Sequence, residues 1–321
     1  MLKKILVIHP NAEFYVSGLK AACPAADVTP VTEEHLGMTT LPDGAQALLP
    51  EADAIISLGR WANAETIAAC TNLKWFQCLI TGTDHLNDLL RGRGVKLTNA
   101  HGIHGTQMSE LAILNMLIHS REVLRLVRSQ AAHDWDRFPP RVLSERTVAI
   151  IGMGAIATHL AGVCKTFGMK TIGVTRTPRD VENFDRVEPR AQLHAVLAEA
   201  DFVVLLLPLT PENRHTIGRD ELEAMKPDAC LINIARGGIV DEEALVDALR
   251  SGQIGSAGVD VFETTPLPPD HPLWGLENVF LTPHVGGQSD KYDEAALPIA
   301  AANLKCFVED RMDEMNFQVE L

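Results

Sequence analysis

Two short segments carry side chains suited to acid–base work on a small anion. In Leu231-Ile232-Asn233-Ile234-Ala235-Arg236-Gly237-Gly238 an arginine follows an apolar run and precedes two glycines. A guanidinium fork at the end of a buried strand suits a carboxylate and an adjacent keto oxygen together, and the glycines allow a close backbone approach. A structural arginine that caps a neighbouring helix is the competing interpretation. In Leu281-Thr282-Pro283-His284-Val285-Gly286-Gly287 a histidine follows proline at the end of another apolar run. Of the twelve histidines, His284 has the backbone setting best suited to a cleft, and imidazole titrates in the range of a proton donor near neutrality. An ordinary buried or surface histidine is the alternative there. A cation and an acid are two of the three things that reduction of a 2-keto acid requires; the third is a hydride donor against the carbonyl carbon.

A site for that donor is written further upstream. Thr147-Val148-Ala149-Ile150-Ile151-Gly152-Met153-Gly154-Ala155-Ile156-Ala157 reads as a buried strand feeding G-x-G-x-x-A and then a helix. Gly152 makes the tight turn, Gly154 lets the backbone approach a pyrophosphate, and Ala157 is small enough for close helix packing, with the helix N-terminus facing the negative charge. A merely structural glycine turn is the bland reading. The next strand, Lys170 to Val174, ends where an acidic residue normally grips the ribose 2′-hydroxyl, about 20 residues on from the glycines. This chain has Thr175-Arg176-Thr177 there. No carboxylate repels a 2′-phosphate, and a guanidinium with two hydroxyls can bind one, so the sequence predicts NADP(H) over NAD(H). If Arg176 is only a solvated surface residue, both cofactors are tolerated.

The elements that must position these residues alternate between short β-rich apolar runs and helical patterns, the signature of βα units around parallel sheets. A first series has strands at Ile5 to His9, Ala54 to Leu58, Trp75 to Ile80 and Val95 to Asn99, followed by a helix from about Gln107 to Arg128. A second has six, at Thr147 to Ile151, Thr171 to Val174, Phe202 to Leu207, Cys230 to Ile234, Gly258 to Val261 and Val279 to Leu281, which matches a doubly wound dinucleotide-binding domain. Asp241 is the expected N-cap of a helix over 241–251, with Gly252 just past its end. Asp290 to Glu309 is the last expected helix. The fold class is therefore α/β with two doubly wound parallel-sheet lobes, and 321 residues suffice for two cores.

Composition bounds the partners. Lys and Arg number 28 against 42 Asp and Glu, a net charge of −14, which repels polyanions and offers no basic stripe for nucleic acid. No apolar run is long enough to span a membrane, and the N-terminal segment lacks the cleavage site of a secretory signal. The six cysteines, Cys23, Cys70, Cys78, Cys164, Cys230 and Cys306, form no Cys-x-x-Cys pair and read as reduced core residues of a cytoplasmic protein, with no metal site.

At this point the residues resemble the D-isomer-specific 2-hydroxyacid dehydrogenases, in the glyoxylate/hydroxypyruvate reductase-like branch, over nearly the whole chain. The carriers are Gly152 to Ala157, Leu207-Pro208-Leu209-Thr210, Asn233 to Leu245, Gly258-Val259-Asp260-Val261-Phe262 and Asn278 to His284. The resemblance implies that Arg236 orients the substrate, that His284 is the acid/base, and that the backbone near Thr81 and Gly82 receives the substrate carboxylate. It implies that Ala155, Ile156, Pro208, Asn213, Ala235 and Asp260 line an NADP or NAD cofactor. It further implies a flavodoxin-like substrate lobe from residues 1–100 and 287–321, a Rossmann-like nucleotide lobe from 101–286, a cleft between them, and a homodimer.

The chain departs from the family at one place. The family's third catalytic residue is a glutamate five positions after the aspartate of Asp-Val-x-x-x-Glu-Pro, and here that position in Asp260-Val261-Phe262-Glu263-Thr264-Thr265-Pro266 is Thr265. Threonine can orient the imidazole of His284, directly or through water, but cannot supply a charge that raises its pKa. Glu263, two residues away, would point to the same side of an extended segment, roughly 6–7 Å along it, and replaces the carboxylate only after a local backbone shift or through water. The expectation is an active 2-keto acid reductase. The rival reading is a non-catalytic dinucleotide sensor, since the fold also resembles the C-terminal-binding corepressors.

Overall fold

The computed structural model describes residues 2–34, 39–42 and 44–321. Among them run thirteen strands: β1 (Lys4–Ile8), β2 (Asp27–Val31), β3 (Ala54–Ser57), β4 (Trp75–Cys78), β5 (Lys96–Thr98), β6 (Thr147–Ile151), β7 (Lys170–Thr175), β8 (Arg186–Pro189), β9 (Phe202–Leu205), β10 (Cys230–Asn233), β11 (Ser256–Val259), β12 (Val279–Leu281) and β13 (Gln318–Val319). The chain divides into two compact units, Met1–Ile103 with Ser289–Leu321, and His104–Gln288.

The first unit holds one sheet in the order β13-β5-β4-β3-β1-β2. All its pairs are parallel except that of β13 with β5. Every residue of β3 and β4 is buried, as expected of parallel strands covered on both faces. One face is covered by the helices Ala12–Ala22 and Tyr292–Val308, which share a core containing Tyr15, Leu19, Ala300, Leu304 and Phe307. Trp61, Ile67, Leu86 and Leu90 fill a second core with Phe76 and Leu97. Gln77, buried in the middle of β4, is satisfied by Thr98 Oγ1 and Asn303 Nδ2, each donating to its Oε1 at 2.8 Å.

The second unit holds a seven-stranded sheet, β12-β11-β10-β9-β6-β7-β8, parallel throughout. The order reverses between β6 and β9, the switch point at which doubly wound sheets bind ligands outside their carboxyl ends. The helix Glu242–Ser251 starts as its sequence dictates: Ala244 N donates to Asp241 Oδ1 at 3.0 Å, and Gly252 ends it in the left-handed region at φ 72.

Three features differ from the sequence reading. The helix expected over 107–128 is two helices, Gly105–Ser120 and Val123–Ala131, because Glu122 takes a left-handed backbone (φ 51) that an α-helix cannot propagate. The strand expected at Gly258 to Val261 begins two residues earlier, and β2, β8 and β13 were not foreseen. Each of these three lies at a sheet edge, where short, half-exposed runs lose the apolar signature; β2 even carries Pro30, which an edge tolerates. No helix among the described residues is long and apolar enough to cross a membrane.

Candidate active site

Arg236 sits three residues beyond the end of β10, half-buried, in extended backbone ahead of a short turn of 3-10 helix at Gly237–Ile239. Its Nη1 donates to the carbonyl of Ala235 at 2.8 Å, while Asn233 braces the turn, its Nδ2 donating to Arg236 O and its Oδ1 accepting from Ala235 N. A Cβ on Gly237 would stand 2.0 Å from the Phe262 carbonyl carbon. Only glycine permits this approach, so the arginine's turn lies directly on the segment that follows β11.

His284 follows β12, the neighbour of β11, and is exposed. Its backbone is left-handed (φ 55), a conformation that costs a non-glycine residue energy and persists only where the surroundings impose it. The imposing group is Asp260, 2% exposed. Its Oδ1 accepts from Thr282 Oγ1 at 2.6 Å and from Val285 N at 2.9 Å, and its Oδ2 accepts from Gly286 N at 3.0 Å. A carboxylate thus bonds the backbone on the far side of the histidine and a side chain on the near side. Asp260, expected only to line a cofactor, is also the support of the His284 turn.

Thr265 is exposed on the loop after β11. Glu263 does not offer itself as the missing carboxylate. Its Oε2 accepts from Arg214 Nη2 at 3.0 Å and its Oε1 meets His215 Nε2 at 2.9 Å, so both oxygens are engaged with the segment after β9. Its backbone N–H donates to Glu242 Oε1 at 2.6 Å. Burial raises the Glu242 carboxyl above its ordinary range, against the pull of that N–H and of His271, whose Nε2 lies 3.4 Å from Glu242 Oε2.

The glycine turn suits a dinucleotide. Gly152 has φ 98, and a Cβ there would strike Leu207 N at 2.7 Å, so the turn presses against the backbone leaving β9. Gly154, by contrast, has nothing within 4 Å of where a Cβ would stand. Nothing inside the chain demands a glycine at that position, and its exposed backbone is open to the close approach of a ligand. Gly154 caps the helix Ala155–Thr166 without a side-chain hydrogen bond, which leaves the first turn's N–H groups for an anion. Ala155 is exposed beside it, and Ile156 is half-buried over the core. Thr175 closes β7 and Arg176 is exposed one residue on. A second cation reaches the same turn: Arg179 Nη2 donates to Met153 O at 3.3 Å. Arg179 is not among the residues expected from the sequence, although it follows Arg176 by three residues in Thr-Arg-Thr-Pro-Arg. Asn213 is buried, its Oδ1 accepting from Arg190 Nη1 at 2.6 Å and its Nδ2 donating to Pro208 O at 3.1 Å, so it holds the loop that carries Pro208.

Gly152, Thr175, Pro208, Ala235, Arg236, Asp260 and His284 thus all lie at or within three residues of the carboxyl ends of six strands of one sheet, and Thr265 follows on the loop six residues beyond β11. Thr81 and Gly82 belong to the first unit, just past the carboxyl end of β4 and half-buried. Thr81 Oγ1 donates to Ala100 O at 2.7 Å, and its carbonyl accepts from Asn99 Nδ2 at 2.9 Å, which fixes the backbone of that turn. Among the described residues no group of three or more His, Cys, Asp or Glu side chains is arranged to hold a metal ion.

Residues 113–286 match the family model described as the NAD binding domain of D-isomer specific 2-hydroxyacid dehydrogenases. The chain belongs to that family, whose members are oxidoreductases of 2-hydroxy and 2-keto acids. It is 35% identical over 290 residues to a glyoxylate/hydroxypyruvate reductase B of Pectobacterium atrosepticum, with 86% of this chain and 90% of that protein covered. It is 32% identical over 307 residues to a D-3-phosphoglycerate dehydrogenase of Methanocaldococcus jannaschii; these are 94% of this chain but 57% of that protein. Among solved structures, a D-isomer specific 2-hydroxyacid dehydrogenase from Xanthobacter autotrophicus in complex with NADPH and MES superposes with a TM-score of 0.81 at 29% identity, with 98% of each chain covered. These relatives do not favour the sensor reading.

Proposed function

We propose that the protein reduces a small 2-keto acid to the D-2-hydroxy acid, with NADPH as the preferred hydride donor and NADH as the weaker one. The observation that carries this reading is the placement of Arg236 and His284 at the ends of β10 and β12, on either side of β11, with Asp260 fixing the histidine's turn. Gly152, Gly154, Ala155, Ile156, Pro208, Asn213 and Ala235 hold the dinucleotide, and Thr175 and Arg176 receive the 2′-phosphate. Bound there, the reduced nicotinamide supplies a hydride to the carbonyl carbon. Arg236 grips the carboxylate and keto oxygen in its fork and polarises the carbonyl. The protonated His284 gives its proton to the oxygen as negative charge develops there. Thr265 orients the imidazole, and the backbone at Thr81 and Gly82 receives the substrate carboxylate. We assign residues 1–100 and 287–321 to the substrate and 101–286 to the nucleotide.

A homodimer working in the cytoplasm completes the reading. The helix Val123–Ala131 has no buried residue, and Leu126, Val127, Trp135 and Val142 expose apolar surface along this stretch, as an interface between copies does. All six thiols are unpaired and five are buried, which suits a reducing compartment. The decisive test measures kcat/KM for glyoxylate, hydroxypyruvate and phenylpyruvate with NADPH and with NADH. Turnover favouring NADPH on at least one acid supports the proposal; cofactor binding without turnover refutes the chemistry, and an equal or NADH-favouring ratio refutes the preference.

A further inference from the structure

The segment Arg214–Ile217, the turn Arg236–Asp241 and the stretch Phe262–Glu263 come from three separate βα loops, yet they are tied to one another at every level. His215 N donates to Gly238 O at 2.9 Å, Ile217 N to Ile239 O at 3.1 Å, and Asp241 N returns a bond to Ile217 O at 2.9 Å. The arginine's turn is thereby paired, along one edge, with residues 215–217. On its other side it meets Phe262 and Glu263 so closely that a Cβ on Gly237 would stand 2.4 Å from Glu263 N. A Cβ on Gly238 would stand 3.0 Å from Arg214 Nη1. The two flanks are then joined to each other by Glu263, whose carboxylate holds Arg214 and His215 and whose N–H is held by Glu242, the first residue of the helix that the turn leads into.

We infer that Glu263, with Arg214 and His215, is a clasp that positions Arg236 for the substrate's carboxylate, rather than a stand-in for the carboxylate missing at Thr265. The inference rests on the assignment of Arg236 as the substrate-binding residue. Arg214 and His215 are more exposed than Glu263, their side chains retaining 55% and 40% of their surface against 29%. Exposed pairs of this kind add little to global stability, so the clasp acts on geometry. A displacement of the guanidinium by a fraction of an ångström weakens a bidentate contact without disturbing the dinucleotide, whose turn at Gly152 lies on another strand.

The test uses the full chain, glyoxylate as the keto acid and NADPH as the donor. Glu263→Gln is expected to raise KM for glyoxylate about fivefold to tenfold and to lower kcat with it, since Arg236 also polarises the carbonyl, with the NADPH dissociation constant and the pH midpoints of kcat/KM close to wild type. Arg214→Gln approaches the same contact from the other side and gives the same signature; it decides the question if Glu263→Gln does not fold. Glu263→Asp keeps the charge and recovers part of the loss. In an Arg236→Ala background, itself raised in KM, Glu263→Gln adds nothing, because the residue it acts through is gone. If Arg236→Ala raises KM while Glu263→Gln and Arg214→Gln do not, or if the effects add in full, the clasp is overturned and the role of Arg236 stands. A shift in the pH midpoint in Glu263→Gln also overturns the clasp, since that carboxylate would then act on His284. If Arg236→Ala leaves KM unchanged, the substrate assignment falls and the clasp with it.

Discussion

Replacing Asp260 by asparagine asks how far His284 depends on the carboxylate beneath its turn. Three donors converge on that buried side chain, two on Oδ1 and one on Oδ2. Asparagine keeps the shape and one acceptor. In its better orientation the carboxamide oxygen still takes Thr282 Oγ1 and Val285 N, but its NH2 then faces Gly286 N–H, donor against donor. The other orientation strands two donors instead of one. Losing one charge-assisted bond and leaving a buried donor unsatisfied costs about 2–3 kcal/mol. In a unit of this size each kcal/mol lowers Tm by roughly 2–4 °C, so Tm falls by about 4–12 °C. With its support weakened, the left-handed backbone at His284 relaxes, and kcat for keto-acid reduction falls by about tenfold to a hundredfold, while the NADPH dissociation constant rises as well, because Asp260 is also expected to line the cofactor. Thermal melts, fluorescence titration with NADPH and steady-state kinetics followed by NADPH absorbance read the three quantities. An unchanged Tm, or a lowered Tm with wild-type kcat, refutes the reasoning.

Arg176→Ala raises KM for NADPH about tenfold and leaves KM for NADH nearly unchanged, because only the former carries the 2′-phosphate; equal changes for both cofactors place the phosphate elsewhere. Thr265→Glu moves the alkaline limb of kcat/KM for keto-acid reduction to higher pH by about one unit, since a carboxylate beside the imidazole favours its protonated form. Superimposable profiles for the variant and wild type count against Thr265 facing His284. Glu33, 2% exposed, has its carboxyl pushed up to about 7 by burial, against the opposing charge of Arg60. A folded-state pKa above the ordinary value means that stability is full at acid pH and is lost as pH rises toward and through that value. Glu33→Gln is therefore more stable than wild type by about 3 kcal/mol at pH near 8, and the gap closes below about pH 5; a gap independent of pH sinks the assignment. Leu126→Asp combined with Trp135→Asp, the latter side chain 90% exposed, converts a species of twice the 35.0 kDa chain mass into a monomer in analytical ultracentrifugation, and an unchanged mass moves the interface elsewhere.

What the sequence made legible depended on whether the physics was local. The Gly152 turn, the caps of the helix after Asp241 and the buried strands around Arg236 and His284 are each decided by a few consecutive residues, and all could be read from their order. The break at Glu122 could not, because a single residue turns left-handed inside a segment whose apolar spacing continues. The edge strands β2, β8 and β13 were invisible for a related reason: pairing with a neighbour distant in sequence makes them strands, not their own pattern. The same distance hid the role of Asp260. An aspartate after a strand signals a ligand or a cap equally well, and only the adjacency of β11 and β12 shows its three donors. Glu263 was placed by periodicity on the side of Thr265, and Arg214 and His215, almost fifty residues earlier, decide where its carboxylate goes.

The arrangement of the first unit sets an order of events during synthesis. Strands β1 to β5 emerge early, but part of the core over Tyr15 and Leu19 comes from Ala300, Leu304 and Phe307, and the open edge of β5 waits for Gln318 and Val319. The second unit is one continuous stretch, His104–Gln288, and has all its partners as soon as it leaves the ribosome. It therefore folds to completion first, while roughly the first hundred residues wait with an unpaired strand edge and an uncovered apolar face, the condition in which nascent chains most need a chaperone.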